Sequence, residues 1–78
     1  DYAGAAASYR TAIQLDPDLA LAHNGLGLVL RDRGDFAGAA ACFREATRAD
    51  PDFALGHTGL GLALHARGDH AGAAAAFR

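Results

Sequence analysis

The sequence predicts an all-α fold of antiparallel helix pairs repeated along the chain. Three observations predict it. Residues 1–44 laid over residues 35–78, so that Asp35 falls on Asp1, agree at 29 of 44 positions. Apolar side chains recur at spacings of three and four, which places them on one face of a helix. Gly34 and Gly68 mark one kind of junction, and Pro17 and Pro51 the other. So many matches at one offset mark an array of like units, each too small to bury its apolar face alone.

The first helix is expected near residues 2–15, with Ala5, Tyr9, Ala12 and Ile13 on its apolar side. Asp16-Pro17 stops it, because the residue before proline is pushed out of the helical region. The second helix is expected near 20–33. Asp18 stands at its start, where a carboxylate accepts a free backbone N–H and meets the positive end of the dipole. Leu26 and Leu30 share a face with Ala22 and His23. Gly34 closes this helix, since glycine takes the left-handed conformation that ends a C-terminus.

Asp35 is then the natural N-cap of a third helix near 36–49, where Ala39, Phe43 and Ala46 form the apolar stripe. After Asp50-Pro51 the pattern restarts, predicting helices near 54–67 and 70–78. Leu26, Leu30, Ala39, Phe43, Ala46, Leu60 and Leu64 are the expected core. In this register residues 1–17 are the second helix of a partial repeat, 18–51 a complete repeat, and 52–78 a repeat truncated in its second helix. With no Met before Asp1, the chain reads as a piece of a longer array.

Composition excludes several function classes. The net charge is -2, there is no Lys, and the seven Arg are scattered. A nucleic-acid binder would show a basic stripe, so no nucleic-acid partner is expected. The uncharged run Leu19–Leu30 is shorter than the roughly 20 apolar residues that span a bilayer, so no membrane partner is expected either. The single cysteine, Cys42, forms no internal disulfide and fits a reducing, cytoplasmic location.

No catalytic, cofactor or metal site is expected. Gly25-Leu26-Gly27 and Gly59-Leu60-Gly61 lack the preceding strand and the third glycine of a dinucleotide loop. Instead Gly27 and Gly61 sit where two helices must approach closely. The spacing of His23 and His57 is that of the repeat itself, while His65 and His70 straddle a turn without Glu or Cys beside them. Cys42 aligns with Ser8 and Ala76, so that register takes small residues, and no base accompanies it. Gly4, Gly38 and Gly72 fall in the first turns of second helices, where a Glu would complete a capping box.

The residues also carry a resemblance. His23-x2-Leu26-Gly27-x2-Leu30, Ala39-x3-Phe43 and Pro51 resemble the tetratricopeptide signature, with His for Trp and Leu for Tyr. His57-x2-Leu60-Gly61-x2-Leu64 with Ala73-x3-Phe77, and Ala5-x3-Tyr9 with Pro17, repeat it over the whole chain. The period agrees too, since a unit of that family runs to about 34 residues. The resemblance implies a right-handed superhelix, a TPR-type α-solenoid. It also implies that first helices line a concave groove while second helices form the back.

On that basis Leu21, Asn24, Leu28 and Arg31, with Leu55, Thr58, Leu62 and His65, are the candidate partner groove. The stripe has apolar centres and polar ends, suited to an amphipathic helix or an extended peptide of a protein partner; the alternative is that Leu21 and Leu28 simply pack on the neighbouring first helix. The function expected is a non-catalytic interaction scaffold. One rival is the targeting arm of a larger enzyme, such as an O-linked N-acetylglucosamine transferase-like glycosyltransferase, although Gly25 and Gly59 stand where those repeats carry an asparagine ladder. The lysines of a chaperone-type carboxylate clamp are missing. The other rival is a self-assembling array, and end-to-end self-association through Tyr9 and the final repeat is expected of the isolated chain.

Overall fold

The computed structural model describes residues 1–68 and contains four α-helices: α1 (Tyr2–Leu15), α2 (Ala20–Asp32), α3 (Phe36–Ala49) and α4 (Ala54–Ala66). These agree with the first four expected helices to within one residue at each end. No β-strand occurs among the described residues. The helix expected at 70–78 lies outside them, with Gly72, Ala73 and Phe77. Each helix packs on its neighbour in sequence, and α2 also packs on α4. First helices therefore lie side by side with second helices layered against them, the arrangement of an α-helical repeat solenoid.

Two recurring junctions produce this path. At the first, Gly34 has φ of 86°, a left-handed conformation that side chains with a Cβ rarely adopt. Its N–H donates to the carbonyl of Arg31 at 2.9 Å, and the N–H of Asp35 donates to that of Leu30 at 2.8 Å. This pair of bonds is a Schellman closure, which satisfies carbonyls the helix end would leave open. Gly68 has the same φ of 86°, and its N–H donates to His65 at 2.9 Å. Asp35 then begins α3 as expected: its Oδ1 accepts from the Gly38 N–H at 2.9 Å. One residue thus closes α2 and caps α3, which fixes a tight reversal.

The second junction corrects one expectation. Asp18 does not cap α2; the N-cap is Leu19, with no side-chain cap bond. The side chain that works here is Asp16, whose Oδ1 accepts from the Asp18 N–H at 3.2 Å. Asp50 does the same for Asp52 at 3.1 Å. These are Asx turns, in which a short carboxylate captures the backbone two residues on. They bend the chain one residue before the helix begins, so Asp18 lies too early to cap it. Asp18 instead accepts from Arg48 at 3.2 Å, and Arg48 also donates to Glu45 at 2.9 Å. Both bonds are exposed and contribute little to stability.

The core is small and lies between layers. Ala39, Ala40, Phe43 and Ala63 are fully buried with Leu64, and Leu30 and Leu60 pack against them. Leu26 and Ala46 are also buried. Leu30 and Leu60 are half-buried, less than expected. Among the described residues Phe43 is the largest fully buried side chain. Its position rests on missing atoms elsewhere. A Cβ added to Gly27 would come within 2.7 Å of the ring, and one added to Gly59 within 2.6 Å. Gly27 belongs to α2 and Gly59 to α4, so one ring occupies the glycine notches of two successive first helices.

Candidate functional site

The face shared by α2 and α4 carries a pocket of about 150 Å³, lined by Asn24, Leu28, Arg31, Leu55, Thr58, Gly59 and Leu62. Six of the eight groove residues named from the sequence are therefore brought together. Leu21 and His65 do not line it: Leu21 is 63% exposed and His65 lies on the exposed last turn of α4. Gly59 was not among the sequence candidates. It joins the lining because the helix that must admit Phe43 on one side offers bare backbone there.

Local folding explains how these side chains converge. Asn24, Leu28 and Arg31 are spaced by four and three on α2, so they form one row. Leu55, Thr58 and Leu62 form the equivalent row on α4, at spacings of three and four. Because α2 and α4 pack side by side, the two rows face one trough. Leu28 is 38% exposed, Leu62 45% and Leu55 63%. Packing of first helix on first helix does not consume these leucines.

Asn24 is the unusual member of the pocket. It is 7% exposed, and its Oδ1 is buried without a hydrogen-bond partner. An unsatisfied buried acceptor costs about 1–3 kcal/mol. Arg31 lies at the other polar end of the row. It pairs with neighbouring Asp32 at 3.6 Å, outside hydrogen-bond reach.

The remaining chemistry-bearing residues have structural surroundings. His23 and His57 each make a contact that the sequence reading missed. The Nε2 of His23 lies 2.7 Å from the carbonyl of Pro17, and that of His57 lies 2.8 Å from Pro51. With Nε2 protonated, each ring donates to the preceding loop and ties it to its helix. The signal was available, since Pro-x5-His occurs twice. His70 lies outside the described residues. Cys42 is partly buried, and burial pushes its thiol up, opposed by the charge of Arg10 and reinforced by Asp35 and Glu45. That direction disfavours the reactive thiolate. Among the described residues no group of three or more His, Cys, Asp or Glu could hold a metal. No described helix is long and apolar enough to cross a membrane.

Tyr9 is only partly as expected. It is 37% exposed, but its ring already occupies the notch left by Gly25 of α2, where an added Cβ would collide with it. The role of Gly25 and Gly59 as seats for an aromatic ring was not read from the sequence. Its trace was there: Tyr9 precedes Gly25 by the same interval as Phe43 precedes Gly59.

No curated protein matches this sequence. The family description "Tetratricopeptide repeat" matches residues 1–52 and again residues 25–78, so the two matches cover the chain end to end. Paired helices, the internal period and notched packing agree with that match, and the chain belongs to the tetratricopeptide repeat family.

Proposed function

We propose that this chain is a non-catalytic protein-interaction scaffold whose α2–α4 face presents a groove for a peptide or helix of a partner protein. Tetratricopeptide repeats are generally protein-interaction modules. The observation that carries the finer reading is the pocket itself, where exposed Leu28, Leu55 and Leu62 lie between polar Asn24, Thr58 and Arg31. Exposed apolar side chains interspersed with a few polar groups suit a peptide-recognition surface. Leu28, Leu55 and Leu62 are exposed, so these groove positions can vary without disturbing the core, whereas Gly59 serves both the groove and the seat of Phe43.

The test is a selection of peptides from a random display library on the full chain, followed by mapping of their contacts by methyl NMR. Selected peptides are expected to shift the methyl signals of Leu28, Leu55 and Leu62. Leu62→Glu should weaken binding at least tenfold and leave the melting curve unchanged, because Leu62 is 45% exposed. Arg44→Ala, at an exposed site on α3, should leave binding intact. Peptides that shift α1 and α3 instead would overturn the proposal.

A further inference from the structure

α1 and α3 hold the same place in the repeat, but their equivalent stripes are not equally covered. In α3, Ala39, Phe43 and Ala46 are fully buried. In α1, the equivalent Ala5 and Ala12 are half-buried and Tyr9 is 37% exposed. The cause is a neighbour: α3 packs on α2 and α4, whereas among the described helices α1 packs on α2 alone. What α1 lacks is a helix standing to it as α2 stands to α3. The glycine seats say which helix fits. Phe43 meets Gly27, sixteen residues before it, and Gly59, sixteen after it. Tyr9 meets Gly25, sixteen after it. Two glycines of this chain hold the register of its other seat, Gly27 and Gly61. Phe43 already fills the first. Gly61 lies on α4, which among the described residues does not touch α1 of the same chain.

We infer that α1 of one copy of this 78-residue chain docks on α4 of a second copy, with Tyr9 in the notch of Gly61. There α1 takes the place of the helix expected at 70–78. Residues 1–10 and 69–78 agree at 7 of 10 positions, and Phe77 stands sixteen after Gly61, so the two segments present the same contacts to α4. α1 offers more of them. It runs to Leu15, fourteen residues like α3, and its Ala12 holds the position at which Ala46 is fully buried. The polar edge agrees as well. Asp18 accepts from Arg48 at 3.2 Å. One repeat on, Asp52 holds the place of Asp18, and in α1 Gln14 holds that of Arg48, so docking brings an amide toward a carboxylate. The contact joins different faces of the two copies. Such head-to-tail contacts add copies without limit unless their rotation closes a ring. Each added copy sets its α2 beside the α4 before it, and the groove face continues from copy to copy.

The test follows the full chain by sedimentation from micromolar to millimolar concentration. Its mass should rise past two copies without a plateau. In a mixture of isotope-labelled and unlabelled chains, filtered NOEs should join the Tyr9 ring of one copy to Leu64 of another, the equivalent of Leu30, which packs on the core around Phe43. Because α1 and α4 do not meet within the described part of one chain, such a signal reports contact between copies. Phe77→Ala weakens the competing segment and should tighten association about tenfold, the scale of one large apolar side chain. Gln14→Arg, at an exposed site, should tighten it about two- to fivefold, as an exposed ion pair does, and Asp52→Asn should cancel that gain. A strict monomer at millimolar concentration overturns the inference. So do NOEs that carry Tyr9 to another copy's α1 or α3 instead of α4, or a Phe77→Ala chain that associates no more tightly than the unaltered one. Should Phe77→Ala fail to fold, Gln14→Arg decides: no gain, or a gain that survives Asp52→Asn, overturns the docking on α4.

Discussion

Tyr9 and Phe43 hold the same place in the repeat, yet the structure treats them differently. Phe43 is fully buried, while Tyr9 is 37% exposed. Phe43 fills the notch of Gly27 in its own helix pair and that of Gly59 in the next, whereas Tyr9 fills only that of Gly25. The residue type is nearly constant, so the difference comes from how many first helices flank the ring. In a solenoid the core belongs to the interfaces between helices more than to any unit, and stability is close to a sum of nearest-neighbour terms. An aromatic clamped on two sides is worth far more than its sequence equivalent clamped on one.

The sharpest way to break this comparison is to truncate both rings. Phe43→Ala should cost about 3–5 kcal/mol, the range for buried aromatics, and in so small a domain that should abolish the cooperative melt. Tyr9→Ala should cost about 1–2 kcal/mol, a fraction of the roughly 1.5–3 kcal/mol for a fully buried large side chain. Phe43→Leu supplies a measurable intermediate if Phe43→Ala does not fold. Equal losses at the two positions, read from urea or thermal melts, would show that sandwiching between two first helices does not govern stability here.

The same contrast can be probed from the glycine side. In an open helix, Gly→Ala gains about 1 kcal/mol of propensity. At Gly59 the new Cβ would fall 2.6 Å from the Phe43 ring, which is fully buried and also abuts Gly27, so it has little room to retreat. Overpacking of that kind costs about 1–3 kcal/mol, so Gly59→Ala should destabilise despite its better helix former. At Gly25 the obstacle is Tyr9, a half-exposed ring that can swing toward solvent. Gly25→Ala should therefore cost less than Gly59→Ala, because a displaced Tyr9 gives up only a part-exposed contact. Finding Gly59→Ala more stable than the parent would show that Phe43 is held loosely.

How much of this was legible follows from the kind of signal each feature leaves. The four described helices were legible because glycine and proline punctuate them by backbone chemistry that does not depend on context. The buried row Ala39, Phe43 and Ala46 was legible because it combines helical spacing with apolar identity. The cap of α2 was not, because two aspartates flank Pro17 and only the loop geometry decides that Asp16 captures the backbone. Leu30 and Leu60 were overestimated, since periodicity gives the face of a helix but not how far the neighbouring layer extends over it. Six of the eight groove positions converge on one pocket because side-by-side first helices bring their outward rows together. Leu21 and His65 do not line it, although Arg31 and Leu55, at the opposite ends of the two rows, do. The burial of Asn24 left no trace in the sequence, because it depends on how closely α2 and α4 approach.

The smallest expected effect concerns the two histidines, which sharpen the comparison with a polar contact in place of an apolar one. His23 and His57 make the same bond to the loop, at 2.7 Å to Pro17 and 2.8 Å to Pro51. They differ in surroundings: His23 is 8% exposed, whereas His57 is only half-buried. A net hydrogen bond contributes about 0.5–1.5 kcal/mol, and the cost of removing one partner rises when the group left behind loses access to water. Replacing His23 by Leu keeps much of the apolar packing but deprives the Pro17 carbonyl of its donor. That change should cost about 1 kcal/mol. In His57→Leu, the bond lost is an exposed one at a half-buried ring, where water can take its place, so the loss should stay below about 0.5 kcal/mol. Hydrogen exchange supplies a second readout, because the loop is tied to its helix by this bond. The amide of Leu19 should exchange faster in His23→Leu than the amide of Phe53 does in His57→Leu. If the two variants instead lose the same stability and protection, burial does not decide the worth of this tie. The asymmetry between the two copies would then be confined to the aromatic ring and its glycine notches.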